Sequence, residues 1–174
     1  IYSATKAGAE KLCAGFSQEY NKPIVTLEPY SVTGQGEQEN HLIPTIIRSC
    51  LGGEEMLFVP YPVHDFIDVV DVVKAAILIA EKGNPEEIYE VGNGKMYSNQ
   101  EVLDLVENIV GRKANIKVVD TLRRYDTGLW YADNHLLKEI GWKSTRTLEE
   151  SVRLMVKYYH AKGSTKERSK QGVV

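Results

Sequence analysis

The chain has 174 residues with 26% charged residues and a formal net charge of −3, which gives no electrostatic case for a nucleic-acid or membrane-surface partner. Its length allows one sizeable core or one lobe of something larger. Apolar runs such as VVKAAILIA are far too short to span a membrane. We therefore expect no nucleic-acid partner, no membrane association and a cytoplasmic location.

The two cysteines and the four histidines do not form a metal-binding pattern. Cys13 and Cys50 stand alone in helix-like surroundings, and the histidines are scattered along the chain. Cysteines of this kind in a cytosolic protein are typically buried, reduced thiols. We expect two buried thiols and no metal site.

The first quarter of the chain predicts a helix, a strand and a long loop. Apolar residues at helical spacing predict a helix from Ser3 to about Tyr20. Pro23 ends that pattern, and IVTL (24–27) follows as a short buried strand. The Gly-rich stretch SVTGQGEQEN (31–40) fits no period, and long loops in compact domains are commonly functional or mobile.

Helices and strands continue to alternate through the middle of the chain. HLIPTIIRSCLGG (41–53) predicts a helix that ends at the Gly pair, and MLFV (56–59) a strand. VHDFIDV (63–69) predicts the end of a strand that leads into a helix, and this helix stops at Gly83. EIYEV (87–91) predicts a further strand.

The last part of the chain contains two capping boxes, each at the start of a predicted helix. Ser98 and Glu101 begin the clearest helix, and Thr147 and Glu150 begin the last one, which is expected to end near His160. Between them we expect a strand at ANIKVVD and a short helix at DNHLLKEIGW. The alternation predicts an α/β fold, with a disordered tail at 163–174.

Tyr2 and Lys6 are four residues apart and would share one face of the first helix. A neighbouring ammonium stabilises the phenolate form of a tyrosine, which suits acid–base catalysis. Such a tyrosine can take a proton from a secondary alcohol while hydride leaves the carbon. By itself, however, the pair is also compatible with an ordinary solvated helix face.

Five ordered stretches over residues 1–160 add context to this pair. The first two carry Tyr2, Thr5, Lys6 and Glu10, and then EPYSVTGQG. The others are VHDFIDVVDVVKAAIL, EIYEVGNGKMYSNQEVLDLV and RRYDTGLWYADNHLLKEIGWKSTRTLEESV. Taken in order, they resemble the nucleotide-sugar epimerase/dehydratase branch of the extended short-chain dehydrogenase/reductase superfamily.

The resemblance implies the C-terminal part of a Rossmann-like doubly wound fold, followed by a smaller α/β substrate-binding lobe. Residues 1–34 would end the NAD(P)-binding lobe. Residues 35–162 would form mainly the substrate-binding lobe, with a strand and helix near 64–83 returning to the first lobe. The family's G-x-x-G-x-x-G cofactor turn does not occur in the sequence, so the N-terminal cofactor-binding half is expected to be absent.

In this family Tyr2 would be the catalytic acid/base, and Lys6 would bind the nicotinamide ribose. Pro29 and Ser31 would line the cofactor, NAD or NADP, and Ser31 would also reach the substrate. An alternative for Ser31 is a purely structural role at the end of a strand.

The implied substrate is a nucleotide-diphosphate sugar. His41 and Leu42 would begin the helix that meets the phosphates. Arg123, spaced R-x-x-D from Asp126, would clamp the diphosphate, with Arg124 as the fallback, although the two arginines are also compatible with a solvated pair. His64 stands where the family commonly has a second phosphate-binding arginine, and a neutral imidazole is a weaker anion partner.

The implied function is an NAD(P)-dependent epimerase or dehydratase that transiently oxidises a sugar hydroxyl, working as a homodimer. Two alternatives remain: a reductase of a ketone without a nucleotide, and a non-catalytic binding or regulatory protein. We expect the isolated chain to be inactive. We also expect apolar faces of the first helix and of strand 24–27 to be exposed, because neighbouring strands of the sheet are missing. Asp65 and Asp71 are expected to be structural.

Overall fold

The structure is a computed structural model that describes the backbone of residues 1–120 and 128–171, and the side chains of residues 1–120 and 128–162. The helices are α1 (Tyr2–Tyr20), α2 (Leu42–Gly52), α3 (Val69–Lys82), α4 (Asn99–Val110), α5 (His135–Glu139) and α6 (Leu148–Gln171). The strands are β1 (Thr26–Pro29), β2 (Val32–Thr33), β3 (Met56–Phe58), β4 (Val63–Asp65), β5 (Ile67–Asp68), β6 (Ile88–Val91), β7 (Met96–Ser98), β8 (Ile116–Val118) and β9 (Leu129–Trp130).

Parallel pairing dominates the sheets, which confirms the predicted α/β fold. Strand β1 pairs with β6, β2 with β5 and β3 with β8, each in parallel. The one three-stranded sheet among the described residues has the order β7-β4-β9, with β4 antiparallel to β7 and parallel to β9. Parallel neighbours need long crossovers, and helices supply them here.

Two apolar cores lie in different parts of the chain. Helices α2, α4 and α6 pack on β3 around fully buried Ile46, Val102 and Val152. The second core joins α3 to β5, β6 and α5 around Ile67 and Val91. The separation of the cores favours a division into two lobes, but the boundaries at 34 and 162 remain predictions.

The capping boxes start α4 and α6 as predicted. The Ser98 amide donates to Glu101 Oε2 at 2.7 Å, and the Glu101 amide donates to Ser98 Oγ at 3.2 Å. Thr147 and Glu150 repeat the exchange at 2.8 and 3.3 Å. Each box satisfies amides that the first helical turn would otherwise leave without partners.

Some element boundaries differ from the predicted ones. Strand β1 begins at Thr26 rather than Ile24, because the Ile24 amide closes a turn onto the carbonyl of Lys22 at 2.9 Å. The loop 31–40 contains the two-residue strand β2, which is too short to give a periodic pattern. Helix α6 continues to Gln171, beyond His160, through polar residues such as Lys, Glu and Arg that favour helix without an apolar stripe.

Helix α1 buries little of its surface, as expected. Ser17 is its only buried residue, and its large apolar side chains, Leu12, Phe16 and Tyr20, are all at least half exposed. Cys13 is also exposed, which corrects the expectation of two buried thiols, whereas Cys50 is buried. The reason is that α1 is exposed along most of its length, so a cysteine at helical spacing with apolar residues is not buried there. No helix of the described residues is both long and apolar enough to cross a membrane.

Two aspartates at the start of α3 attach the segment that leads into α6. Asp68 caps α3 and accepts hydrogen bonds from Arg146 Nη1 at 3.0 Å and Ser151 Oγ at 2.6 Å. Asp71 is fully buried and accepts from the amides of Thr145 and Arg146 at 2.7 and 2.9 Å. Burial alone would raise the pKa of Asp71, but these hydrogen bonds lower it. The contacts support the structural role expected for Asp71.

Candidate active site

Ser31 and His64, two of the predicted site residues, lie in contact. Ser31 Oγ is 3.3 Å from His64 Nδ1, although 33 positions separate them in the sequence. Ser31 follows the carboxyl end of β1, and its carbonyl accepts the Ile67 amide of β5 at 3.1 Å. His64 lies in the middle of β4. The carboxyl ends of parallel strands are the usual ligand-binding edge of open α/β sheets.

Aromatic side chains surround this pair, and the sequence reasoning did not identify them as site residues. His64 is in register with Tyr97 on β7 and with Trp130 on β9, so the three side chains share one face of the sheet. The rings of Tyr30 and Trp130 meet edge to face, with centroids 6.0 Å apart. Trp130 remains 45% exposed, which leaves ring surface open beside His64.

Tyr30, next to Ser31, is unsuited to act as a base. Burial raises the pKa of Tyr30 to about 12, with further contributions from a hydrogen bond to Glu90 and from the charge of Glu90. Its phenol therefore stays protonated at neutral pH. Tyr2, the tyrosine of the predicted acid–base pair, remains the candidate for proton transfer.

Tyr2 and Lys6 lie together on the first turns of α1. Lys6 Nζ lies 5.5 Å from the centroid of the Tyr2 ring, and the Tyr2 side chain is 74% exposed. Within the described part of the chain, no hydrogen bond joins either residue to Ser31. Pro29, the other predicted cofactor residue, ends β1 in register with Val91.

The predicted phosphate-contacting residues fall into two groups. His41 is the N-terminal cap residue of α2 and Leu42 its first helical residue, so both lie at the positive end of that helix. His41 Nδ1 is 3.1 Å from Glu37 Oε1, so one of its ring nitrogens already has a partner. Arg123, Arg124 and Asp126 lie outside the described residues, which resume at Gly128, just before β9.

A buried carboxylate, Asp65, fixes the backbone around His64. Asp65 is fully buried and accepts hydrogen bonds from the amides of Asn93 at 2.7 Å and Gly94 at 3.0 Å. Burial raises the pKa of Asp65, while these hydrogen bonds act in the opposite direction. A Cβ atom on Gly92 would collide with the Asp65 carboxylate and with Ala132. Asp65 thus ties β4 to the turn after β6, which agrees with the structural role expected for it.

Three carboxylates gather where α1 approaches the sheet. Glu28 on β1 is in register with Glu90 on β6, and Glu10 of α1 lies within hydrogen-bonding reach of Glu28. Burial raises the pKa of Glu28, and the charges of Glu10 and Glu90 raise it further. Because this carboxyl ionises less readily in the folded chain, its charge destabilises the fold above the folded-state pKa, and the effect vanishes below the ordinary value.

Glu28→Gln is therefore expected to stabilise the chain at neutral pH. The variant removes a charge from the carboxylate cluster and should raise Tm by about 1–3 °C at pH 7. The gain should disappear as the pH falls below about 4, where the wild-type carboxyl is protonated in both states. Thermal unfolding from pH 4 to pH 8 measures this, with the exposed Glu55→Gln as the matched control. A gain of the same size at every pH would contradict the explanation.

No group of three potential metal ligands occurs among the described residues, and the absence of a metal site remains a prediction.

Comparison with known proteins identifies the family. The parallel strands and their helical crossovers define a Rossmann-like α/β protein. The NAD dependent epimerase/dehydratase family model matches residues 1–92, just over half of the chain. The chain belongs to this family, and the resemblance read from the sequence is confirmed.

Individual relatives show how much of the family the chain covers. A trifunctional UDP-glucose 4,6-dehydratase/3,5-epimerase/reductase of Arabidopsis thaliana is 29% identical over 91% of this chain and 24% of its own length. A dTDP-glucose 4,6-dehydratase of Xanthomonas campestris is 27% identical, over 91% of this chain and 48% of its own. The UDP-glucose 4-epimerase of Thermotoga maritima, solved with UDP-glucose, is 26% identical with a TM-score of 0.87, over 92% of this chain and 53% of that one. The chain thus spans between about a quarter and about half of the length of the curated relatives that it matches.

Proposed function

We propose that this chain carries the substrate-binding residues and the proton-transfer pair of an NAD(P)-dependent nucleotide-sugar epimerase or dehydratase. The observation that carries the proposal is the meeting of Ser31, His64 and Trp130 at the carboxyl edge of the parallel strands. Both named activities occur among the relatives, each on a nucleoside-diphosphate sugar. A dehydratase would need further acid and base residues for the loss of water, and in our proposal these residues precede Tyr2.

Proton transfer belongs to Tyr2 in this proposal. Its phenolate, which the nearby Lys6 ammonium stabilises, takes the proton of a sugar hydroxyl, and the phenol formed in this way later returns the proton. When bound, NAD(P) would supply the hydride acceptor and donor. Microscopic reversibility lets the same tyrosine act as base in oxidation and as acid in reduction.

The residues present fit only the nicotinamide end of the cofactor. Tyr2 and Lys6 are exposed on one helix face, where a ribose can reach both, and Pro29 and Ser31 lie at the end of β1. The sequence contains no G-x-x-G-x-x-G turn for the pyrophosphate. In our proposal, residues outside these 174 hold that part of the cofactor.

The substrate side combines hydrogen-bonding groups with an aromatic surface. Ser31 and His64 offer a hydroxyl and an imidazole to a sugar or a phosphate, and the exposed ring of Trp130 offers a flat apolar surface. The proposed diphosphate clamp is Arg123, with Arg124 as the fallback. The proposed phosphate contacts at the start of α2 are His41 and Leu42. Because His64 replaces an arginine of the family pattern, diphosphate affinity should depend on pH.

The proposed assembly is a cytoplasmic homodimer without nucleic-acid or membrane partners. The dimer would form in the full-length protein, where the exposed residues Leu12, Phe16 and Tyr20 of α1 would be covered by sheet strands or by a second copy. The rings of Phe16 and Tyr20 pack against each other at a tilt, with centroids 4.5 Å apart.

A calorimetric titration of the chain with UDP-glucose tests the substrate proposal. We expect saturable binding that Ser31→Ala and His64→Ala each weaken by about tenfold, since each removes a hydrogen bond to a polar or charged ligand. His160→Gln, on the exposed side of α6, is the matched control and should leave the affinity unchanged. If UDP-glucose binds no better than glucose, the proposal fails, and the reductase of a ketone without a nucleotide becomes the better hypothesis.

A further inference from the structure

The loop between β2 and α2 contains a buried carboxylate that the proposed function does not use. The side chain of Glu37 is only 10% exposed. Its carboxylate accepts the Thr33 hydroxyl at 2.8 Å, lies 3.1 Å from His41 Nδ1 and faces the amide of Gly34. Burial raises the pKa of Glu37, and these three donors act against the rise.

The contacts of Glu37 with Thr33 and His41 join the two ends of the loop on its buried side. Thr33 belongs to β2, and its hydroxyl also lies 3.2 Å from Met155 Sδ of α6. His41 is the residue that begins α2. Glu37 therefore connects both ends of the loop, and its partner Thr33 contacts Met155 in the core formed by α2, α4 and α6.

A second set of charges holds the outside of the loop. Arg48 Nη1 donates to the carbonyl of Glu39 at 2.7 Å, and Lys162 Nζ donates to Glu39 Oε1 at 2.6 Å. The charges of Glu39, Arg48 and Lys162 also act on the nearby Tyr159, whose pKa is raised mainly by burial. The outer contacts involve carboxylate, guanidinium and ammonium groups, which keep their charge between pH 5 and 8.

We propose that Glu37 and His41 form a pH-sensitive latch that fastens the loop of residues 34–41 to β2 and to the start of α2. The latch requires no ligand and does not rest on the function proposed above. It consists of a buried acceptor, Glu37, and a half-exposed imidazole, His41, whose side chain is 50% exposed.

The expected pH dependence follows from the two partners. Histidine side chains change charge between pH 5 and 8, so the pair is an ion pair on the acidic side of this range and a neutral hydrogen bond on the basic side. At still lower pH, protonation of Glu37 removes the acceptor, and burial makes this occur at higher pH than for an exposed glutamate. The loop should be held most firmly between these two limits.

Amide hydrogen exchange at Gly34, measured by NMR on the ¹⁵N-labelled chain, tests the latch. After correction for intrinsic exchange, we expect Gly34 in the wild type to exchange about two- to fivefold more slowly at pH 6 than at pH 8. Glu37→Gln and His41→Gln should abolish this pH dependence, because neither variant retains the ion pair. His135→Gln is the matched control, since His135 forms a similar 3.1 Å pair with Asp133 on the surface.

Protection at Val102 in the core reports whether each variant is folded. If Glu37→Gln does not fold, the wild-type pH series and His41→Gln decide the question. The proposal is overturned if Gly34 in the folded wild type exchanges equally at pH 6 and 8, or if either folded variant keeps the wild-type pH dependence.

Discussion

Asp65→Ala is expected to lower the free energy of unfolding by about 3 kcal/mol, because it removes a fully buried carboxylate that accepts several backbone hydrogen bonds. The fully buried Asp65 accepts the amides of Asn93 and Gly94, and its carboxylate also faces the amides of Lys95 and Ala132. Gly92 packs so closely against the carboxylate that an added Cβ atom would collide with it.

Urea unfolding followed by circular dichroism measures the loss. Asp65→Asn keeps one acceptor oxygen and should lie between the wild type and Asp65→Ala. Asp120→Ala, at an exposed position, serves as the control for removing an aspartate. If Asp65→Ala and Asp120→Ala destabilise the chain equally, Asp65 does not hold β4 to the turn after β6 as described.

Tyr2→Phe is expected to lower kcat of the full-length enzyme that we propose by about 10²–10⁴-fold, the usual contribution of a positioned general acid–base group. The phenylalanine ring retains the shape of the side chain and its contact with Lys6, so the affinity for the nucleotide sugar should change little. The loss should therefore appear in kcat rather than in KM.

Steady-state kinetics with UDP-glucose or dTDP-glucose, the sugar nucleotides after which the relatives described above are named, measures the effect. Tyr20→Phe is the matched control, because Tyr20 is another exposed tyrosine on α1. Equal turnover in the wild type and Tyr2→Phe would remove Tyr2 from the mechanism and favour a non-catalytic role for the chain.

Local patterns predicted much of the fold. The Ser98–Glu101 box identified the start of α4 because a capping box depends only on residues three positions apart. Gly53 ends α2 in a left-handed conformation, as the Gly pair at 52–53 indicated. The family was recognised because five short motifs occur in a fixed order, which carries more information than any of them alone.

The candidate site was only partly predictable because its contacts join distant positions. Strand β9 has two residues and pairs with β4 across 66 positions, so no periodicity in the sequence places Trp130 beside His64. The partnership of Glu37 with His41 was also missed, since it occurs in a loop where four-residue spacing predicts no common face. The sequence also gives no sign that the Glu37 side chain is only 10% exposed.

Exposure was the other property that the sequence could not fix for single residues. Cys13 sits among apolar neighbours that suggested burial, yet its side chain is exposed on α1, where only Ser17 is buried. The length of α6 was underestimated for a related reason: a helix that continues beyond its packing partners needs no apolar stripe.

The central proposal is that this chain binds the nucleotide sugar and supplies Tyr2 and Lys6. Residues outside the chain would hold most of the cofactor. Calorimetric titration of the chain with NAD⁺, in the presence of saturating UDP-glucose, tests this most directly. We predict no saturation, with a dissociation constant weaker than about 1 mM. Micromolar affinity for NAD⁺ would contradict the account, because it would require a complete cofactor site within these 174 residues.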